Sequence, residues 1–301
     1  MKSNEDNNSF NRVDESHPLD IYIGTDNLSR QTFFLISEKE PISMSSSQII
    51  SASVGRRKDS RWGISFTLLD TKYSDIFSCF YNDIIESSRS IIDKNKGADF
   101  VVNRYNKWQL MLSKSKGELL THSVIKGLIG EILFLKEYLI PKYGQETAVN
   151  SWIGPDKADQ DFVCNNTWYE VKATNSGSES INITSVEQLD MKINGELIIV
   201  YLDKTSSTDD FKITLNKTYK DVYDLLKDDN LKNKLSTILL NLGYFPRPEY
   251  DEPTFKLTKI DRFLVDNNFP CMRRKDIPRA IINSKYQLSI TVINNHLITK
   301  D

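Results

Sequence analysis

Four charged side chains carry the chemistry that this sequence offers: Asp161, Glu170 and Lys172 on two short segments either side of a tight turn, and Glu131 upstream in an apolar run. Gln160-Asp161-Phe162-Val163 and Trp168-Tyr169-Glu170-Val171-Lys172-Ala173-Thr174 flank Cys164-Asn165-Asn166-Thr167. An Asn-Asn pair accepts the positive φ angles of a tight turn, so the stretch predicts a β-hairpin. Alternation then places Trp168, Glu170, Lys172 and Thr174 on one face of the second strand, and Tyr169, Val171 and Ala173 on the other. Pairing brings Asp161 beside Glu170, giving two carboxylates and an adjacent ammonium. Neighbouring carboxylates raise each other's proton affinity unless a cation neutralises them, and oxygen-only ligands suit Mg²⁺ or Mn²⁺. Such an ion polarises a phosphodiester and activates water, while Lys172 orients that water or stabilises the developing charge. An isolated match of this kind is more often a set of solvated charges on a strand surface, so a second signal is required.

The second signal is the helix that must deliver Glu131. Val124, Leu128, Ile132, Leu135 and Leu139 recur at three- and four-residue intervals, with Ser123 placed to cap the start and Pro141 to stop it. Glu131 falls within this stripe rather than on the polar face, and a carboxylate there needs a cation, a metal or a hydrogen-bond network, unless it reaches the stripe's edge and water. Gly127 and Gly130 cost helix stability and permit close approach of another backbone beside Glu131. Downstream, residues 181–184 read as a third strand, and Ser185 with Gln188 has the form of a capping box. A capping role alone explains Gln188 at this point. The run Leu197-Ile198-Ile199-Val200-Tyr201-Leu202 predicts a strand buried on both faces.

Glu on a helix followed by Asp and ExK on a hairpin resembles the PD-(D/E)XK nuclease superfamily. Gly-Leu-Ile-Gly-Glu at 127–131, Trp152-Ile153-Gly154-Pro155, Gln160-Asp161-Phe162, Glu170 to Thr174 and Ser185 to Leu189 resemble more narrowly a bacterial family named for the PD-(D/E)XK motif. The Trp108 helix at 104–112, Leu242-Gly243-Tyr244 and Phe269-Pro270 follow the same order, so the resemblance covers nearly all of the chain beyond its first residues. It implies an α/β (α+β) fold: a restriction-endonuclease-like core whose mixed central sheet is flanked by helices. It implies Asp161, Glu170 and the Val171 carbonyl as metal ligands, Lys172 at the water, Glu131 at a second metal or an ordered water, and Gln188 in support. One departure stands out. The Pro-Asp dipeptide of the superfamily is not present at Asp161, and Asp156 (after Pro155) and Asp159 are rivals for its place. Asp161 is preferred because Phe162 and Val163 begin a strand there, whereas 154–159 reads as a loop.

Composition limits the alternatives. The three cysteines form no CxxC pair or zinc spacing, and His17, His122 and His296 are isolated, which leaves no local His/Cys metal cluster. No Gly-rich phosphate loop points to ATP or dinucleotide chemistry. No signal peptide or membrane span is read, and a cytoplasmic location is expected. A formal net charge of −2 provides no overall attraction to nucleic acid. Local positive charge is confined to Arg56-Arg57-Lys58 with Arg61, and Arg273-Arg274-Lys275 with Arg279, each a solvated loop or a phosphate clamp.

The expected organisation is a disordered tail at 1–16, a β-rich domain with helices at 17–115, the nuclease core at 116–205 and a mostly helical extension at 206–301 packing on that core. In the first domain, 19–24, 31–37, 48–54 and 63–69 read as strands and 72–92 as a helix; near the end, 288–293 reads as a strand. The functional expectation is a Mg²⁺- or Mn²⁺-dependent DNA endonuclease of a restriction or phage-defence system. The expected partners are DNA, companion ATPase and DNA methyltransferase subunits, and a second copy of the chain. The competing expectation is a non-catalytic DNA-binding or assembly subunit, with RNA as a substrate also open.

Overall fold

The computed structural model describes residues 9–115, 119–153, 159–164 and 166–298. The chain divides into two compact units, Met1–Glu118 and Leu119–Asp301.

In the first unit, strands β1 (Ser9–Arg12), β2 (Asp20–Thr25), β3 (Gln31–Ser37), β4 (Ile50–Arg56) and β5 (Trp62–Leu68) form an antiparallel sheet in the order β1-β2-β3-β5-β4. The tail predicted for 1–16 is therefore wrong for Ser9–Arg12, which pairs with β2; residues 1–8 lie outside the described residues. A short 3₁₀ turn, Thr71–Tyr73, leads into α1 (Ser74–Ser88), and α2 (Lys94–Ser115) follows. These helices set Phe80 and Tyr105 against Phe33 and Phe66 of the sheet.

The second unit holds the mixed sheet, in the order β10-β9-β7-β6. Strands β6 (Phe162–Cys164) and β7 (Thr167–Thr174) are the predicted hairpin, with Phe162 opposite Tyr169 and Cys164 opposite Thr167. β7 runs parallel to β9 (Gly195–Lys204), which is buried from Gly195 to Leu202 because it packs on both faces. Ile198, Val200 and Leu202 join Tyr169 and Val171 in one core. Leu197, Ile199 and Tyr201 join Trp168 in the other. The alternation read from the sequence is thus the alternation observed. The missing side chain of Gly195 seats Trp168, whose ring would meet a Cβ there at 2.1 Å.

Helix α3 (His122–Phe134) lies against β7, and α6 (Leu215–Leu225) lies against α3. Its details differ from expectation. Thr121, not Ser123, caps it by accepting from the Val124 N–H, and Val124 itself is exposed, so the buried stripe runs through Ile125, Leu128, Ile129 and Ile132. Pro141 does not stop the helix. A π-helical turn, Leu135–Leu139, brings the Ile140 N–H to the Leu135 carbonyl and passes into α4 (Ile140–Tyr143), which ends at Gly144 with φ 79°. A proline is tolerated at the start of this last short helix because its absent N–H falls where the regular bonding pattern has already been broken. Helix α5 (Gln145–Ser151) then leads towards β6.

Three other elements depart from the sequence reading. The strand read at 181–184 is β8 (Ser180–Ile183), and it belongs not to the central sheet but to a pair with β11 (Tyr286–Ser289); the residues after β11 turn into a 3₁₀ segment, Val292–His296, instead of continuing to 293 as strand. The C-terminal region provides α7 (Asp229–Asn241) and the unread strand β10 (Phe255–Val265), which pairs antiparallel with β9.

The glycines of α3 make opposite predictions. A Cβ at Gly130 would stand 3.1 Å from the Ala173 Cβ, whereas nothing lies within 4 Å of one at Gly127. Gly130→Val is expected to destabilise by about 1–3 kcal/mol through overpacking, and Gly127→Ala to stabilise by roughly 0.5–1 kcal/mol as an ordinary helix-interior replacement. Denaturant unfolding of the two variants checks both signs.

Candidate active site

The contact at Gly130 brings α3 against β7 and so sets the next residue, Glu131, at the level of the hairpin. Trp152, which bridges to Phe162 just after α5, fixes it there by donating its indole N–H to Glu131 Oε2 at 3.0 Å. Asp161, immediately before β6, turns its Oδ2 towards β7 and accepts the Val171 N–H at 2.8 Å. Glu170 projects from β7 on the face it shares with Trp168 and is almost wholly buried, with 1% of its surface exposed. Its Oε1 accepts from Lys172 Nζ at 2.6 Å, while its Oε2 is buried and without a hydrogen-bond partner. Lys172 also donates to Gln188 Oε1 at 3.2 Å.

The carboxylates respond electrostatically to one another. Desolvation, then the charges of Asp161 and Glu170, push the Glu131 carboxyl well above the usual carboxylate range. Desolvation and Asp161 do the same to Glu170, with Lys172 opposing. Desolvation also raises Asp161, against the Val171 N–H and the charge of Lys172. The structure therefore gathers Glu131, Asp161, Glu170 and Lys172, as the sequence predicted. Of the rivals to Asp161, Asp159 is exposed and Asp156 lies outside the described residues.

Gln188 has a double use. It sits in a 3₁₀ turn, Val186–Leu189, where Ser185 makes no side-chain capping bond, so the predicted capping box is not formed. Gln188 Oε1 accepts the Thr184 N–H at 2.9 Å as well as the Lys172 ammonium. Two side chains that local sequence reasoning missed hold this turn. Buried Gln160 donates to the Glu187 carbonyl at 2.7 Å, and Arg274 Nε donates to the Glu187 carboxylate at 2.9 Å. Trp152 was likewise missed as a partner of Glu131. No periodicity signals such contacts, because each joins segments about 20 to 90 residues apart.

Four arginines of the two basic clusters are committed to internal contacts. Arg57 and Arg61 both bond Asp59. Arg273 donates to the Leu189 carbonyl and approaches Asp190, while Arg274 holds Glu187 and the Ile281 carbonyl. The Arg273-Arg274 pair thus clamps the turn that carries Gln188.

Over residues 1–291 the chain matches the model of a family described as "Putative PD-(D/E)XK family member, (DUF4420)". The chain belongs to this PD-(D/E)XK family. No curated protein and no solved structure matches it. The D…ExK signature is read here as Asp161 and Glu170-Val171-Lys172, with Glu131 contributed by the helix.

The donor set suits a hard divalent cation. Among the described residues it consists of carboxylate oxygens, one of them buried and unpartnered, with neighbouring negative charge that Lys172 offsets. Among the described residues, no group of three or more His, Cys, Asp or Glu side chains is placed to hold a metal ion. Trp152, the Val171 amide and Lys172 each bond one oxygen, of Glu131, Asp161 and Glu170 in turn.

Lys172 is largely buried, with 17% of its side chain accessible. Removing it leaves Glu170 buried without a counter-charge. Lys172→Ala is therefore expected to lower stability by roughly 2–3 kcal/mol at neutral pH, and by less at acidic pH, where Glu170 takes up a proton. The raised carboxyls also set a pH dependence. Between the ordinary carboxylate pKa and the raised native values, the folded chain keeps protons that the unfolded chain has released, so stability falls as pH rises through that interval. Glu131→Gln keeps an acceptor for Trp152 and removes the charge. In EDTA its melting temperature is expected to exceed that of the wild type at pH 8 and to converge with it near pH 4; calorimetry across that range measures the difference.

Proposed function

We propose that the chain is a Mg²⁺- or Mn²⁺-dependent DNA endonuclease of a restriction or phage-defence system, cutting by phosphodiester hydrolysis at Asp161, Glu170, Lys172 and Glu131. The single observation that carries this reading is Glu170 Oε2, a buried carboxylate oxygen with no partner beside Asp161. A structural carboxylate at 1% exposure would have both oxygens satisfied. Here one is left where a cation would complete it.

Asp161, Glu170 and the Val171 carbonyl would hold the ion, with Glu131 at its margin. When bound, it would polarise the phosphodiester and offset the charge that develops on it. The residues supply the rest. The Val171 N–H fixes the rotamer of Asp161, and Trp152 fixes Glu131, so neither carboxylate must be ordered when substrate arrives. Gln188 shares the Lys172 ammonium with Glu170, and so keeps it in the site as Glu170 turns towards a cation. From there Lys172 orients the attacking water and stabilises negative charge on the phosphate. Family membership supports this reading through its nuclease-like fold. DNA as the substrate and the companion ATPase and methyltransferase subunits extend the family resemblance.

The test is cleavage of methylated and unmethylated plasmid with Mg²⁺, Mn²⁺ or EDTA, alongside thermal melting with and without Mn²⁺. The wild type is expected to cut only with metal and to melt higher in Mn²⁺. Asp161→Asn is expected to lose both effects. Lys172→Ala is expected to lose cutting by a factor of at least about 10² and to retain the Mn²⁺-induced rise in melting temperature. Equal cutting by wild type and Lys172→Ala would sink the assignment.

A further inference from the structure

On the opposite face of β7 from Glu170, one residue earlier, Tyr169 meets a cation that the proposed chemistry does not use. Lys142 Nζ donates to Tyr138 Oη at 2.8 Å and to Tyr169 Oη at 3.3 Å, and the Tyr143 and Tyr169 hydroxyls share a hydrogen bond of 2.7 Å. The same ammonium stands 5.0 Å from the ring centres of Tyr138 and Tyr143 and 5.9 Å from that of Tyr169. Among the described residues no carboxylate pairs with Lys142. Glu196, the residue opposite Tyr169 on β9, already gives both oxygens to the Arg262 guanidinium at 2.7 and 2.8 Å. Arg262 in turn lies over the Tyr138 ring at 4.1 Å.

Counting hydrogens shows what the cluster lacks. The Tyr138, Tyr143 and Tyr169 hydroxyls take the ammonium hydrogens of Lys142, which leaves the hydroxyl hydrogen of Tyr138 and one hydroxyl hydrogen of the Tyr143–Tyr169 pair with no acceptor among the described residues. A cation beside hydroxyl donors with no acceptor to receive them is complementary to an oxyanion carrying several oxygens. A second, independent feature points to the same place. The π-helical turn Leu135–Leu139 carries Tyr138 and shifts the phase of the helix just before Lys142, while Phe134 stacks on Tyr138 at 5.2 Å. π-turns cost regular helix bonding and recur where a side chain must be re-aimed for function. Lys142 is exposed, and Tyr138 and Tyr143 are half-buried, so the donors are open to a ligand.

We propose that Tyr138, Lys142 and Tyr143 form a phosphate-binding site that holds a backbone phosphodiester of a nucleic acid strand. Tyr138 lies seven residues beyond Glu131 along the same helical run, roughly 10 Å at 1.5 Å per residue. A strand rising about 3.4 Å per nucleotide covers that distance in roughly three nucleotides. The site is distinct from the carboxylates, and binding there requires neither metal nor hydrolysis.

The experiment uses the full chain in EDTA and follows the anisotropy of a fluorescent DNA duplex at several salt concentrations. In parallel, melting is followed in sodium phosphate and in sodium chloride at equal ionic strength. Lys142→Met is expected to weaken DNA binding roughly tenfold and to lower the salt slope by about one. Tyr138→Phe, which keeps the ring and its packing, is expected to weaken binding in the same direction, and Lys142→Arg to retain most of it. If phosphate raises the melting temperature of the wild type and not of Lys142→Met, while the variants bind DNA normally, the oxyanion site stands and its ligand is free phosphate rather than a polynucleotide. Unchanged DNA binding in both variants, with no phosphate-specific stabilisation of the wild type, overturns the proposal. Failure of the nuclease reading is seen separately, as absent cleavage with metal in a chain that still binds.

Discussion

Glu131, Asp161 and Glu170 converge with Lys172 as the cation that opposes them, in a space where protein has displaced most of the water, and the surrounding structure is arranged to keep them there. Left in water, carboxylates so placed would separate or recruit counter-ions. Here Gly130 brings α3 onto β7, Trp152 holds one carboxylate, the Val171 amide holds another, and the third is rooted in a strand with 1% exposure. Desolvation raises all three carboxyls, and repulsion from neighbouring carboxylates adds to it at Glu131 and Glu170, so the folded chain holds this cluster at a cost to its own stability. Stability given up at a localised cluster, with an ordered core on both faces of the same sheet, is the pattern expected of a working site rather than of a structural polar network.

That pattern was legible in the sequence to the extent that it rests on local periodicity. Alternation in Trp168 to Thr174 and the two-residue turn fixed which face Glu170 and Lys172 share, and the unbroken apolar run at 197–202 announced the strand between two cores. Glu131 was visible because it interrupts a helical stripe. What escaped was non-local or irregular. β10 carries a register shift between Leu257 and Lys259, so its alternation breaks in the middle and reads as no strand at all. The π-turn at Leu135–Leu139 has no compositional mark, and Pro141 looked like a terminator because regular bonding was assumed up to it. The depth of Lys172 is not legible for a related reason: a lysine on a strand is exposed by default, and the Glu170 and Gln188 contacts, the latter from a turn sixteen residues away, draw it in.

The arginines illustrate how composition misleads about charge. Arg273 and Arg274 look in sequence like a surface for phosphates, yet they are spent on Asp190, Glu187 and backbone carbonyls, where they tie the segment around β11 to the turn bearing Gln188. Arg57 and Arg61 close on Asp59 in the same way. An arginine fork satisfied by a carboxylate presents little net field to a distant polyanion, whatever its count in the sequence.

With a net charge of −2 and these arginines internally paired, the nucleic acid proposed as substrate would meet no broad positive field. Its attraction would come from a few donors placed where acceptors are missing. Lys142 among its tyrosines is such a place, because the hydroxyls hold the ammonium without neutralising it, as a carboxylate would. Contacts of this kind contribute little to long-range steering, which falls off within a Debye length, and much to register, because the geometry of three fixed donors selects one position of a phosphate. A chain built in this way would bind a strand weakly and hold it in place well. Such a division would suit the proposed hydrolytic centre, whose carboxylates would repel the same backbone that Lys172 and a cation would draw in.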